Sequence, residues 1–371
     1  MSSEQILSEI EDEMEKVHTQ SLDLSFNELM DMYENGELDI SPDYQRLFRW
    51  TEGARSRFIE SLLLEMPVPP IYVVETETGV YQLIDGLQRF SSYLHLRGQL
   101  IAEHMNINKG DKLQLSDCDI VESLNGLTYD DLPVALKIKL KRSFVRVEVV
   151  RKGSDNKFKY HMFKRLNTGG EALTQQQVRN CTIRMLDPKF NDFIIQLSTD
   201  ENFSKCITFL SESQRFGAFD QELVLRYFTF KNNQKAFKHD IADYLTEYME
   251  NVSSGQIPYD YVQNENNFKK VFDILANTHG ERIFGRMGND GKLQSNFNIY
   301  HFESITIGIQ SIVDKVDSKD DATIEKLREA ILNLKKDALF KSETTGGGKN
   351  SPGPLQRRID IAKKYFEEAL I

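Results

Sequence analysis

The residues best suited to chemistry form one short segment, Asp85-Gly86-Leu87-Gln88-Arg89. An arginine fork can clamp phosphate oxygens, and a glycine at a strand-to-helix turn lets the backbone approach a ligand closely. The first amides of a helix lack intrahelical partners and favour anions. Asp85 is suited to ligate Mg²⁺ or polarise a water, and Gln88 to orient a sugar, a base or a water. The segment therefore predicts a phosphate-binding turn.

Two plainer roles stay open for the same residues. The first is a plain strand-to-helix junction in which a surface Arg89 pairs with a carboxylate. The motif is short, so such a junction can have the same sequence. Asp85 is also a suitable N-cap for the helix that follows. Capping and ligand binding can coexist at one carboxylate.

The neighbouring pattern predicts elements that hold this turn. Val80 to Ile84 is a short apolar run typical of a strand, and the helix after it carries most of its apolar residues on one side and ends at Gly98. Other strands are predicted at 38–40, 71–75 and 145–149, and a helix at 52–65 with Thr51 as its N-cap. Together they predict an α+β fold with a small mixed sheet and helices packed on it.

Other polar residues are candidates for the same pocket. Tyr44, Gln45 and Arg46 follow the predicted strand at 38–40. A predicted helix at 156–166 carries Arg165 and breaks at Asn167-Thr168-Gly169-Gly170, which is either a plain turn between helices or a loop that faces a ligand. The neutral side chains Gln45 and Asn167 would orient a nucleotide without adding charge, and Arg46 and Arg165 would supply positive charge.

The net charge of −11 excludes a protein that is basic overall and wraps nucleic acid, so any contact with DNA requires a local patch. The most basic interval lies between 137 and 152, and its candidate DNA-binding residues are Lys137, Lys139, Lys141 and Arg142. The alternative for this interval is a solvated helix face.

Three further motifs accompany the DGLQR segment in a fixed order. They are PDYQR at 42–46 with Trp50, ESLLL at 60–64 followed by PVPPI at 67–71, and FKRLNTGG at 163–170 followed by LT at 173–174 and VRN at 178–180. This order resembles the N-terminal domain of GmrSD-type restriction endonucleases, a family with a ParB/sulfiredoxin-like core and a DGQQR box. Leu87 stands where that family usually has glutamine.

The resemblance implies a role in prokaryotic DNA restriction or defence against phage, with nucleotide use coupled to DNA. With the residues above it leads to the hypothesis that the N-terminal half binds a nucleoside triphosphate with Mg²⁺ and hydrolyses it. Asp85, Gln88 and Arg89 are the candidate catalytic residues, Asp85 is the candidate metal ligand, and Gly86 and Gly169 lie in the candidate nucleotide-binding loops.

Two alternatives stay open. One is a nucleotide-gated module without catalysis that binds DNA or recruits a nuclease encoded elsewhere, because the C-terminal half offers no convincing His-Asn-His arrangement. The other is a ParB-like nickase that uses Asp85 and Glu60 near a metal. Zinc hydrolysis and serine-type acyl transfer have no supporting motif.

The 371 residues predict an N-terminal amphipathic arm at 1–20, a ParB-like domain at 21–186 and an α-helical domain at 187–371 with a flexible loop at 343–354. The arm is expected to dock on the body of the protein or on a second copy, as a homo-oligomer. Widely spaced Cys118, Cys181 and Cys206, an acidic N-terminus and the lack of a long apolar run predict a cytoplasmic protein without a membrane span.

Overall fold

The computed structural model describes residues 3–15, 18–40, 48–154, 162, 174–184, 186–238, 240–288 and 290–371. Internal contacts divide the chain into an N-terminal unit, Met1–Ala172, and a C-terminal unit, Leu173–Ile371. The predicted helix at 156–166 lies outside the described residues, apart from residue 162. No helix within the described ranges is long and apolar enough to cross a membrane.

A five-stranded mixed sheet forms the centre of the N-terminal unit, which confirms the predicted α+β fold. Its strands are β1 (Thr19–Ser25), β2 (Leu38–Asp39), β3 (Ile71–Glu75), β4 (Tyr81–Asp85) and β5 (Phe144–Val150). They lie in the order β1-β5-β3-β4-β2. The β1/β5 and β3/β4 pairs are antiparallel, and the β3/β5 and β2/β4 pairs are parallel.

The edge strand β1 is the one strand that the sequence did not predict. Its residues, TQSLDLS, are mostly polar and mostly solvent-exposed. Leu22 and Leu24 alternate with the exposed Asp23 and are half-buried, but two apolar residues are too short a pattern to identify a strand. Its position follows from pairing with β5, from Thr19 opposite Val150 to Ser25 opposite Phe144.

The N-terminal unit has five α-helices within the described residues, of which the last four pack on the sheet and on one another. They are α1 (Ser3–Met14), α2 (Phe26–Glu34), α3 (Glu52–Leu63), α4 (Leu87–Leu96) and α5 (Val134–Arg142). Predicted caps are confirmed where the Ser25 side chain accepts from the Glu28 amide and Thr51 from the Ala54 amide. Phe26 of α2 joins the helices, since its ring centroid lies 5.7 Å from that of Phe58 and 5.3 Å from that of Tyr93.

The C-terminal unit is built from helices, as predicted. They are α6 (Gln175–Ile183), α7 (Pro188–Ser198), α8 (Glu201–Cys206), α9 (Glu212–Phe216), α10 (Phe219–Asn233), α11 (Ile241–Ser253), α12 (Tyr261–Thr278), α13 (Ile299–Gly308), α14 (Asp321–Lys336), α15 (Ala338–Thr344) and α16 (Pro352–Ala369). Buried aromatic rings fill its core, with Phe228 5.7 Å from Phe268 and Phe268 4.5 Å from Phe272 between centroids.

The predicted flexible loop at 343–354 begins later than the sequence indicated. Glu343 and Thr344 belong to the end of α15 and are buried. Arg357 of α16 binds the Glu343 carboxylate through two nitrogens, at 2.9 and 3.2 Å. This bidentate pair holds the start of the predicted loop against the following helix, an interaction that the glycine-rich composition does not reveal.

Candidate functional site

The DGLQR segment forms the predicted turn between a strand and a helix. β4 ends at Asp85, Gly86 is the N-cap residue with a φ of +105°, and α4 begins at Leu87. Gly86 is buried, and a Cβ atom there would lie 2.7 Å from Ile71 Cγ1. The glycine is therefore required by a left-handed backbone and by close packing on β3. That side of the turn faces the Ile71 side chain, which excludes a ligand there.

Arg89 closes the turn. Its Nη2 atom lies 2.8 Å from Asp85 Oδ2, one helical turn earlier, and its Nη1 atom donates to the Pro69 carbonyl and, at 3.1 Å, to the Pro70 carbonyl. Arg89 is 12% exposed and Asp85 35% exposed. The plainer role for Arg89, pairing with a carboxylate, is thus present, and the guanidinium joins the turn to the segment before β3.

Asp85 does not cap α4, because Gly86 holds the N-cap position without a side-chain hydrogen bond. The Asp85 carboxylate instead binds Arg89 and is partly open to solvent. An ionised carboxylate has capacity for several hydrogen bonds or a metal ion in addition to one arginine contact. Asp85 is therefore oriented and still accessible, as a ligand for a metal–nucleotide complex must be.

Gln88 links the turn to a second motif. Its Oε1 atom accepts from the backbone amides of Arg49, at 2.9 Å, and Trp50, at 3.1 Å. Trp50 belongs to the motif that begins with PDYQR, so Gln88 joins two of the four motifs. Tyr44, Gln45 and Arg46 themselves lie outside the described residues, as do Arg165, Asn167 and Gly169, and their place in the pocket stays a prediction.

Sequence reasoning missed Arg55, a buried cation that supports this connection. Its Nε atom donates to the Trp50 carbonyl at 2.9 Å, and its Nη1 atom lies 2.7 Å from Nδ1 of His95. Burial and then the Arg55 charge lower the pKa of His95 to about 4, so the ring is neutral at physiological pH and accepts this hydrogen bond. The sequence did contain a sign that Arg55 is buried, because Arg55 has helical spacing with Phe58 and Leu62, which are buried.

The predicted DNA-binding cations lie on α5, and several of them have partners. Lys139 pairs with Glu65 at 3.1 Å, and Lys137 donates to the Asp130 carbonyl at 2.8 Å. Lys141 and Arg142 form no ion pair within the described part of the chain. A solvated helix face with local ion pairs accounts for much of this interval, and DNA binding by α5 stays a prediction.

Glu60 has a structural role, which gives no support to the nickase alternative. It is 2% exposed, and its Oε1 atom accepts from the backbone amides of Ile120, at 3.1 Å, and Val121, at 2.6 Å. Across the described ranges, no group of three or more His, Cys, Asp or Glu side chains is placed to hold a metal ion. Among the described residues, Asp85 would therefore need further ligand oxygens from waters or from a nucleotide to hold Mg²⁺.

Replacing Gly86 with alanine is expected to lower the free energy of unfolding by about 2 kcal/mol, through backbone strain and overlap with Ile71. Gly79→Ala is the matched control, since Gly79 also has a positive φ, +85°, but open space where a Cβ would lie. Urea unfolding followed by circular dichroism measures both. Equal losses in the two variants would show that packing on Ile71 adds nothing.

A comparison with protein families matches residues 26–184 to the GmrSD restriction endonuclease, N-terminal domain. The chain contains a GmrSD N-terminal domain. The match begins just after β1 and covers strands β2 to β5, the DGLQR turn and the VRN motif of α6, which confirms the resemblance seen in the motifs. Neither the curated proteins nor the solved structures include a significant match to this chain.

The last motif of the GmrSD N-terminal domain has a packing role in this chain. Arg179 is 2% exposed, and its nitrogens donate to Gln176 Oε1 at 3.0 Å, Thr246 Oγ1 at 3.0 Å and the Ala242 carbonyl at 2.9 Å. An ion pair to Glu222, at 3.2 Å, compensates its charge. The VRN motif therefore holds α6 against α10 and α11 within the C-terminal unit.

Proposed function

We propose that this chain is the nucleotide-responsive component of a DNA restriction or anti-phage defence system, and that it binds a nucleoside triphosphate with Mg²⁺ at the DGLQR turn and hydrolyses it. The GmrSD N-terminal domain supports a role in restriction or defence. The observation that carries the site is the Asp85 carboxylate at the end of β4, which Arg89 holds and which is 35% exposed.

The residues fit a Mg²⁺–nucleotide complex better than a free metal ion. Mg²⁺ in nucleotide sites is held by one or two carboxylates, several waters and the phosphates themselves, so a single carboxylate such as Asp85 is sufficient. When bound, the ion would neutralise charge on the phosphates and on the leaving group. Asp85 would bind the ion, Arg89 would position Asp85, and the first amides of α4 would face the phosphates.

Two partners belong to the proposal as well. DNA is the substrate of a restriction system, and a separate nuclease subunit would supply the cleavage that no His-Asn-His motif in this sequence supports.

One observation supports the alternative, a nucleotide-binding module without catalysis: the Arg89 guanidinium already binds a carboxylate and two carbonyls. An arginine held in this way is suited to keep a binding turn in shape and less suited to follow a moving phosphoryl group.

Asp85→Asn is expected to reduce both Mg²⁺-dependent nucleotide binding and phosphate release at least tenfold, because the neutral amide oxygen is a weaker ligand for Mg²⁺ than the carboxylate. Titration calorimetry with ATP and GTP, and a phosphate-release assay on the purified full chain, measure these effects. Arg89→Lys keeps the charge and loses the fork, so we expect a smaller loss.

Asp119→Asn is the matched control, because Asp119 is exposed and lies in the same unit. It should bind and hydrolyse nucleotide like the wild type. If Asp85→Asn has an unchanged melting temperature and wild-type activity, the assignment of the nucleotide site to the DGLQR turn is wrong. Nucleotide that binds one to one without phosphate release would favour the module without catalysis.

A further inference from the structure

Helix α1 presents an apolar face that is largely exposed among the residues that the structure describes. Ile6, Leu7, Ile10 and Met14 lie on one side of the helix and are 47%, 59%, 51% and 68% exposed. Residues 3–15 carry acidic side chains and no basic one. The arm therefore does not pack on the body of its own protomer, although it is amphipathic as the sequence predicted. An exposed apolar stripe on an acidic helix is typical of a segment that binds a partner.

A groove of about 830 Å³ lies elsewhere in the N-terminal unit, where the end of α3, helix α5 and strand β5 meet. Its apolar lining includes Met66, Ile138 and Phe144, which are 40%, 44% and 69% exposed. Such large apolar side chains usually lie in a core, and here three of them line one concave surface. The groove thus has the chemistry of a seat for a short amphipathic helix.

The charges of the two surfaces are complementary. Helix α5, VALKIKLKR, carries lysines and an arginine and no acidic residue, whereas α1 is acidic. The groove is lined by the cations Lys139, Arg142 and Arg146 and by the carboxylates of Glu65 and Asp23. Lys139 pairs with Glu65 and Arg146 with Asp23, so Arg142 is the lining cation without an ion pair within the described residues. An acidic helix seated there would bury its apolar face on Ile138 and Phe144 and bring its carboxylates to Arg142 and to the basic face of α5.

We propose that α1 of one protomer docks in this groove on a second copy of the chain, so that two copies exchange arms. Both surfaces belong to one chain and both are exposed within its described part, so a second copy satisfies each of them without any other protein. Reciprocal exchange uses the same two surfaces on each copy, which closes the assembly as a symmetric dimer. The dimer weakens with added salt, because the contact is partly electrostatic.

Sedimentation velocity of the full chain over a range of concentrations tests the exchange. We expect association that is lost, with at least a tenfold rise in the dissociation constant, in the arm variant Ile6→Asp/Ile10→Asp and in the groove variant Ile138→Asp. Each substitution places a carboxylate in the apolar contact. Ile120→Asp is the matched control, because Ile120 is 59% exposed and does not line the groove.

Mixing the two variants separates arm exchange from other contacts. A heterodimer of the arm variant and the groove variant keeps one intact pair of surfaces, so the mixture should associate more strongly than either variant alone. Wild-type chain that stays monomeric, association that survives both variants, or a mixture no better than its components overturns the proposal. A DNA-binding result can overturn it as well. If monomeric wild-type protein binds a DNA duplex and the Ile138→Asp variant binds it more weakly, the groove is a nucleic-acid site. Thermal melting confirms that each variant is folded.

Discussion

Replacing Glu303 with glutamine is expected to lower the free energy of unfolding by about 3–5 kcal/mol, the cost of leaving buried charges without their partner. Glu303 is 1% exposed and lies between two guanidiniums. Its Oε1 atom is 2.8 Å from Nη1 of Arg226, and its Oε2 atom binds Nη2 of Arg358. Glutamine keeps the size of the side chain and removes the charge, so Arg358 loses its carboxylate inside the C-terminal unit.

The matched control is Glu325→Gln, which breaks an exposed pair with Arg328 of similar length, 2.8 Å. Glu325 is 61% exposed, and exposed pairs contribute at most about 1 kcal/mol. Urea unfolding followed by circular dichroism compares the two variants at one pH. A Glu303→Gln chain as stable as the Glu325→Gln chain would show that the buried carboxylate is not needed to compensate the two arginines.

The contribution of Lys335 to the stability of the wild-type protein is expected to rise by about 2 kcal/mol from pH 7 to pH 9. Lys335 is buried, and its Nζ atom donates to the carbonyls of Ile283 and Gly285, both at 2.6 Å. Burial lowers the pKa of Lys335 from 10.5 to about 7. Between these values the unfolded chain binds a proton that the folded chain has released, so unfolding becomes less favourable as pH rises.

Lys335→Met should remove this rise, and Lys336→Met, the same change at the next and exposed residue, should leave it intact. Urea unfolding at several pH values between 7 and 9 measures the slope. This range avoids the nearby His301, whose pKa lies well below its ordinary 6.5 because of burial and the Lys335 charge. An equal slope in wild type and Lys335→Met would contradict the assignment of the rise to this lysine.

The local elements could be predicted well from the sequence. The strand at 71–75 and the helix starts after Ser25, Thr51 and Thr174 were correct, because caps and apolar runs act over a few residues. Edge strand β1 could not be predicted, since its pairing partner lies more than a hundred residues further along the chain.

For the candidate site too, some features could be predicted from the sequence and others could not. That Asp85-Gly86 forms a strand-to-helix turn followed from the residues themselves. The conformation of Gly86 follows from packing on Ile71, and the orientation of Arg89 from the carbonyls of Pro69 and Pro70 as well as from Asp85. Whether an arginine closes a turn or stays open for a phosphate depends on which distant backbone atoms the fold brings near it.

The sequence by itself determined the family of the N-terminal domain, the α+β class and the position of the DGLQR turn, because these depend on motif order and on short-range patterns. Only the tertiary structure decided which charges are compensated and which surfaces remain open. It placed Glu303 between two buried arginines and left the apolar face of α1 uncovered. The physical reason is that burial and charge pairing depend on contacts between distant segments, which no local pattern of residues records.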